Sequence, residues 1–208
     1  MKDLIKSIES LKNDDISNII DTRIKQFISV KKKGISEIFK ELCFCIMTAN
    51  CGAAKCIEVN DRIDKGFLNL SEEELVNKFK EYGYRFPNIR AKYIVEARKY
   101  ISELESIIKS NIDEIKLREW VVKNFKGLGY KEASHFLRNI GYKNLAIIDF
   151  HIVDLLMKYD LIEKPKSMTK KKYLEIENVL KQIGREVHLD MAKLDLYLWY
   201  KETGKVLK

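Results

Sequence analysis

With 208 residues the chain can form one ordinary domain or two small lobes sharing a cleft, and a core of that size needs no disulfide or metal staple. Only two prolines and nine glycines, with apolar residues recurring every three to four positions, exclude a β-rich fold and predict an all-α one. The balance of 39 Lys and Arg against 31 Asp and Glu gives a formal charge of +8, which favours a polyanionic partner such as nucleic acid, because neutralising phosphates releases condensed counterions. No apolar run approaches the roughly 18 residues of a membrane span, and the N-terminus lacks a charged-then-apolar leader, so the reading is of a cytoplasmic protein without a membrane partner.

In chain order, helical periodicity falls at about residues 2–12, 15–31, 35–48 and 52–60. Cys43, Cys45, Cys51 and Cys56 crowd the third and fourth of these in the spacing C-x-C-x5-C-x4-C, which lacks the paired knuckles of zinc sites. They read as buried free thiols, with a disulfide as the alternative and no metal. Ser71-Glu72-Glu73-Glu74 has the form of a capping box and opens a helix running to about Tyr82. Arg85-Phe86-Pro87-Asn88 breaks the chain, and a single long helix is expected over 89–110. Asn111-Ile112-Asp113-Glu114 caps a further helix, LREWVVKNF; a glycine turn and a second helix, KEASHFLRNIG, follow. After the link YKNLAI comes a helix beginning near Asp149, then a basic linker at 163–172 and two last helical runs at 170–187 and 190–203. The expected architecture is two-lobed, with one lobe from about 1–50 plus 165–208 and the other from about 51–164.

The stretch FKGLGYKEASHF (125–136) reads as helix, short Gly-Leu-Gly turn, helix. Gly127 and Gly129 allow positive φ and a bare backbone, so the turn and the positive end of the second helix can hold a phosphate; a plain αα-hairpin is the alternative. Lys131 falls in the first turn of that second helix. The helix field and partial burial would lower its pKa, and a neutral amine is a nucleophile. Asp149 stands where an N-cap belongs, and a carboxylate fixed by helix N–H groups can also be aimed at whatever binds nearby.

Gly-Leu-Gly-Tyr-Lys, then about eighteen residues, then Ile-Asp-Phe-His-Ile resembles the helix–hairpin–helix and aspartate signature of the endonuclease III and 8-oxoguanine DNA glycosylase superfamily. The resemblance implies an all-α, two-lobed glycosylase fold with a DNA-binding cleft between the lobes. It assigns Lys131 as the group attacking the sugar C1′ and Asp149 as the charge that stabilises the transition state. Lys126 stands where many members carry proline, and no cysteine follows Cys56, which argues against an iron–sulfur cluster and leaves no cofactor.

The N-terminal half extends the resemblance over most of residues 35–157. Asn50 would fill the gap left by a flipped base, Phe86 would wedge into the duplex with Arg85 and Arg90 beside it, and His151 would contact a phosphate. The segment HLDMAKLDLYLWYKETGKVLK is similar to the short type-2 8-oxoguanine DNA glycosylases of archaea and some bacteria. That likeness implies a base pocket involving Lys208, whose carboxylate would accept from N7–H of the lesion, with Trp199 as a stacking wall or a core residue and His135 as a pocket or a structural histidine. The activity implied is excision of 8-oxoguanine from duplex DNA with strand cleavage, by a prokaryotic, nucleoid-associated monomer. Oxidised pyrimidines as substrate, or a non-enzymatic DNA-binding hairpin module, are the alternatives.

Overall fold

A computed structural model describes residues 1–208 as a wholly helical chain. The helices are α1 (Lys2–Lys12), α2 (Ile16–Lys32), α3 (Ile35–Thr48), α4 (Ala53–Ile63), α5 (Gly66–Asn69), α6 (Glu72–Glu81) and α7 (Pro87–Ala97), then α8 (Ile101–Lys109), α9 (Glu114–Asn124), α10 (Tyr130–Asn139), α11 (Phe150–Lys158), α12 (Lys170–Glu186) and α13 (Met191–Thr203). No helix is long and apolar enough to cross a membrane.

Local signals set most boundaries. The capping box at α6 is complete: Glu74 N–H donates to Ser71 Oγ at 3.2 Å and Ser71 N–H to Glu74 Oε2 at 2.7 Å. Pro87 takes the first position of α7, where its missing N–H is no loss. The single helix expected over 89–110 is instead broken by a 3-10 turn at Arg98–Tyr100. Arg98 reaches back to donate to Phe67 O at 2.8 Å and Leu70 O at 2.6 Å, which ties the bend to the one-turn helix α5. Periodicity carries no trace of a bond formed across 28–31 residues.

Two apolar clusters organise the packing. The larger runs from Ile38 to Leu145 and has α3 at its centre, with Phe39, Leu42, Phe44, Ile46 and Met47 excluded from solvent. Each such side chain contributes roughly 1.5–3 kcal/mol on burial. The second joins Leu4 and Ile8 of α1 to residues from 146 to 198. Because α3 is covered on nearly every side, it belongs with the middle helices, while α11 packs with the chain's two end regions. A smaller cluster seats α2 on one face of α13.

Cys43, Cys45 and Cys56 are buried, Cys51 is half-buried, and all four are free thiols. Burial pushes the Cys43 and Cys45 thiols well above the usual range. No three His, Cys, Asp or Glu side chains are grouped as a metal site would require.

Candidate active site

The hairpin is built from α9, capped by Asp113, and α10, joined through residues 125–129. Gly127 has φ +84°, and a Cβ there would lie 2.6 Å from Tyr93 Cδ2 and 3.0 Å from Arg90 Nη1. Glycine is thus required twice, by backbone conformation and by the close seat of α7 on the turn. Gly129 differs: its φ is an ordinary −88°, and its N–H donates to Glu132 Oε2 at 3.2 Å. That amide, expected to hold a phosphate, is engaged within its own helix. The N–H groups of Tyr130, Lys131 and Glu132 have no protein acceptor, and they are the open donors at the positive end of α10. Lys131, with a quarter of its side chain exposed, stands 3.8 Å from Glu132 Oε1.

Asp149 caps α11, its Oδ1 accepting from Ile152 N–H at 3.0 Å. The buried segment 145–148 before it is clamped by α12: Ala146 N–H donates to Glu177 Oε1 at 2.9 Å, Tyr173 Oη donates to Ala146 O at 2.7 Å, and Ile148 N–H donates to Tyr173 Oη at 3.3 Å. Glu177 in turn receives both prongs of Arg118 from α9, at 2.7 and 3.0 Å, and Arg118 also donates to Ser134 Oγ of α10 at 3.2 Å. Burial disfavours charge on Glu177, yet the Arg118 fork and the Ala146 amide hold its carboxyl below the usual carboxylate range. Both hairpin helices and the segment carrying Asp149 are therefore fastened through one buried group.

A second buried chain of polar groups runs beneath α10. Arg138 donates to Asp195 of α13 and, through Nε and Nη2, to Asn139 Oδ1 at 3.0 and 2.9 Å. Asn139 Nδ2 donates to Glu41 Oε1 at 2.7 Å, and Lys208 Nζ donates to Glu41 Oε2 at 3.2 Å. Burial pushes Asp195 up to about 6; Arg138 opposes that shift, the charge of Asp149 adds to it, and the charge of Lys131 opposes it. Burial also holds His135 well below the usual histidine range, with the charges of Arg138, Lys131 and Lys208 acting the same way and a main-chain oxygen of Lys208 acting against them. His135 packs edge-on against Phe44, and its buried Nδ1 has no partner.

The remaining expected residues fall in two groups. His151 lies between Phe150, at 3.9 Å between ring centroids, and Trp199, which it meets edge-on at 4.9 Å. Trp199 is half-buried, and its indole N–H is buried with no acceptor. At the other end Asn50 is exposed, with φ +61°, in the turn after α3. Arg85 is exposed and covers the Phe86 ring at 4.9 Å. Arg90, expected as a DNA contact, is only 8% exposed: its Nη2 donates to Ala49 O at 3.0 Å and its Nη1 lies against Gly127. It ties the Asn50 turn and the Phe86 loop to the hairpin. An open concavity of about 440 Å³ between α12 and α13, lined in part by Lys181, Arg185 and His188, includes neither Lys131 nor Asp149.

The charged residues of both buried networks escaped the sequence reading because in a helical pattern Arg, Glu and Asp look like solvent-facing positions. The only signal was Arg118 falling on a face with Leu117, Val121 and Phe125.

An all-helical chain built around such a hairpin has the fold of a helix–hairpin–helix DNA glycosylase. The family model described as 8-oxoguanine DNA glycosylase matches residues 20–189. An 8-oxoguanine DNA glycosylase/AP lyase of Korarchaeum cryptofilum is 52% identical over 207 residues, covering 99% of this chain and 98% of its own. The crystal structure of the Methanocaldococcus jannaschii 8-oxoguanine glycosylase/lyase, in complex with a 15mer DNA containing 8-oxoguanine, is 53% identical with a TM-score of 0.95 and 99% of each chain covered. That of the Thermotoga maritima 8-oxoguanine DNA glycosylase is 40% identical with a TM-score of 0.93, covering 100% of this chain and 99% of that one. The chain belongs to the 8-oxoguanine DNA glycosylase family.

Proposed function

We propose that the protein excises 8-oxoguanine from duplex DNA and cleaves the strand 3′ to the lesion, acting as a DNA glycosylase and AP lyase. The observation that carries this reading is the single buried group, Arg118 with Glu177, that fastens the Lys131 hairpin to the Asp149 segment within a fold shared along its whole length with relatives of that activity.

The damaged nucleotide is turned out of the stack into a cleft between the two apolar clusters, leaving a gap that Asn50 enters while Phe86 wedges the neighbouring step, with Arg85 beside it. The open N–H groups at the start of α10 and the His151 ring take backbone phosphates. The Gly127 turn lets the backbone approach. The Lys131 amine bonds to C1′ through its lone pair; the C1′–N9 bond breaks, its electron pair leaves with the base, and the base takes up a proton. The Asp149 carboxylate, fixed by its cap, stabilises the positive charge that develops on the sugar. The lone pair of the attached nitrogen then opens the C1′–O4′ bond, O4′ taking up the proton that the nitrogen loses; the resulting Schiff base acidifies C2′, and loss of that proton expels the 3′ phosphate.

For recognition, Trp199 stacks on the base, an interaction worth about 1–3 kcal/mol. A main-chain oxygen of Lys208, whose side chain lies by the Phe44 ring that packs on His135, accepts from the lesion's N7–H; in normal guanine N7 carries a lone pair and would be repelled. One chain supplies every group of this site, which supports action as a monomer on chromosomal DNA.

Borohydride trapping on a panel of lesion duplexes tests substrate and nucleophile together. The 8-oxoguanine duplex gives a covalent adduct that Lys131→Gln abolishes. An adduct that survives the substitution removes Lys131 from the role, and preferential trapping on oxidised pyrimidines reassigns the substrate.

A further inference from the structure

Glu41 is a carboxylate in the middle of α3, only 7% exposed, on a helix otherwise committed to the apolar core. A buried charge on such a helix is costly unless each oxygen is matched. Both are matched, by partners far away in sequence: Asn139 Nδ2 on Oε1 at 2.7 Å and Lys208 Nζ on Oε2 at 3.2 Å. The first fixes the carboxylate to α10, one helical turn beyond His135. The second pins Lys208, whose ammonium also sits 4.4 Å from the Phe44 ring centroid, the same ring that packs edge-on against His135. Lys208 lies beyond α13 and forms no helical bond of its own, so this anchor on its side chain fixes where its main chain lies.

The geometry points to Glu41 as a positioning residue for base recognition: by gripping the Lys208 ammonium beside the Phe44 ring, which itself packs on His135, it fixes the Lys208 main chain at the edge that reads the lesion. This rests on the reading that Lys208 lines the base pocket. Glu41 touches neither sugar nor phosphate in that scheme, so its loss separates recognition of the base from cleavage of a sugar that has already lost its base.

The experiment compares single-turnover excision of 8-oxoguanine with strand cleavage at a preformed abasic site, for Glu41→Gln, Lys208→Met, the double variant and a chain lacking Lys208. Gln keeps an acceptor for Asn139 and loses the charge that holds the ammonium. Glu41→Gln slows excision about tenfold, as expected for loss of a partly buried charge-assisted hydrogen bond, while abasic-site cleavage stays within about twofold. Lys208→Met gives the same split, and the double variant is no worse than either single one because both break the same contact. Equal slowing of both reactions makes Glu41 a packing residue and overturns the inference; an unchanged ratio in both single variants does so as well. Should Glu41→Gln fail to fold, Lys208→Met carries the test alone, since it leaves the buried carboxylate and its Asn139 bond in place. The chain lacking Lys208 separates the two levels: if it loses excision while Glu41→Gln does not, only the anchor is wrong, and if it excises normally the base-pocket reading itself falls.

Discussion

Arg118 and Glu177 meet as a bidentate ion pair almost without solvent contact, their side chains 0% and 2% exposed. The guanidinium comes from the first helix of the hairpin, and the carboxylate also receives the amide of Ala146, three residues before Asp149. One ion pair thereby sets the spacing between the lysine's hairpin and the aspartate's helix.

Removing either partner leaves an uncompensated buried charge, a loss of about 3–5 kcal/mol. Arg118→Met and Glu177→Gln each lower stability by that order in urea denaturation and slow excision further by loosening the 145–148 segment. The double replacement Arg118→Met with Glu177→Leu recovers much of the stability. It does not recover the rate, because Glu177→Leu takes the acceptor from the Ala146 amide. Single variants that lose less than about 1 kcal/mol would leave the pair without its structural role.

At Asp149, capping and catalysis separate by choice of substitution. Asn caps a helix about as well as Asp, so Asp149→Asn unfolds within a few tenths of a kcal/mol of the parent. It slows excision about 10²–10³-fold with DNA affinity nearly retained. Asp149→Ala adds the cap loss of about 1 kcal/mol. Parent-like rates for the Asn variant in single-turnover assays would end the electrostatic assignment.

The two hairpin glycines respond differently to alanine. Gly127→Ala forces a side chain into φ +84° and against the Tyr93 ring, so it loses about 2 kcal/mol or more and disturbs the seat of α7. Gly129→Ala meets only the side-chain end of Glu132, Oε2 3.3 Å away, at an ordinary φ, and loses about 0.5–1 kcal/mol. Thermal unfolding of the pair checks the order, which reverses if the turn is not pressed against α7.

Asp195 supplies a pH signature. Its folded-state value of about 6 lies above the ordinary 3.8, so between these the folded protein holds a proton that the unfolded chain has released. The stability from that proton is complete below about pH 4, declines as pH rises and is gone above about pH 6; two units correspond to on the order of 3 kcal/mol. Asp195→Asn removes this dependence. The stability of the parent relative to the variant therefore falls between pH 4 and 6, and a flat difference contradicts the assignment.

The helical class, the hairpin and the caps at Ser71, Asp113 and Asp149 were legible because each is encoded within a few adjacent residues. The break at Arg98 was not, since its cause is a pair of carbonyls near α5. Nor were the packing partners of α3: it reads as an ordinary helix near the N-terminus, and only the structure shows it buried against α4 and α10. Lys131 and Asp149, the residues proposed for the chemistry, stand out through local pattern and resemblance. Glu177, Asn139 and Asp195 were not, because each finds its partner 57–98 residues away.

The placement of α1 has a consequence for how the protein is made. Leu4 and Ile8 share an apolar cluster with Leu194 and Leu198, so the unit carrying Asp149 cannot close until α13 has left the ribosome. The larger cluster, complete by Leu145, has no such wait. During synthesis the Lys131 hairpin can thus assemble with its own helices well before the Asp149 segment is locked in place, and a half-made chain carries the proposed nucleophile without the carboxylate proposed to assist it.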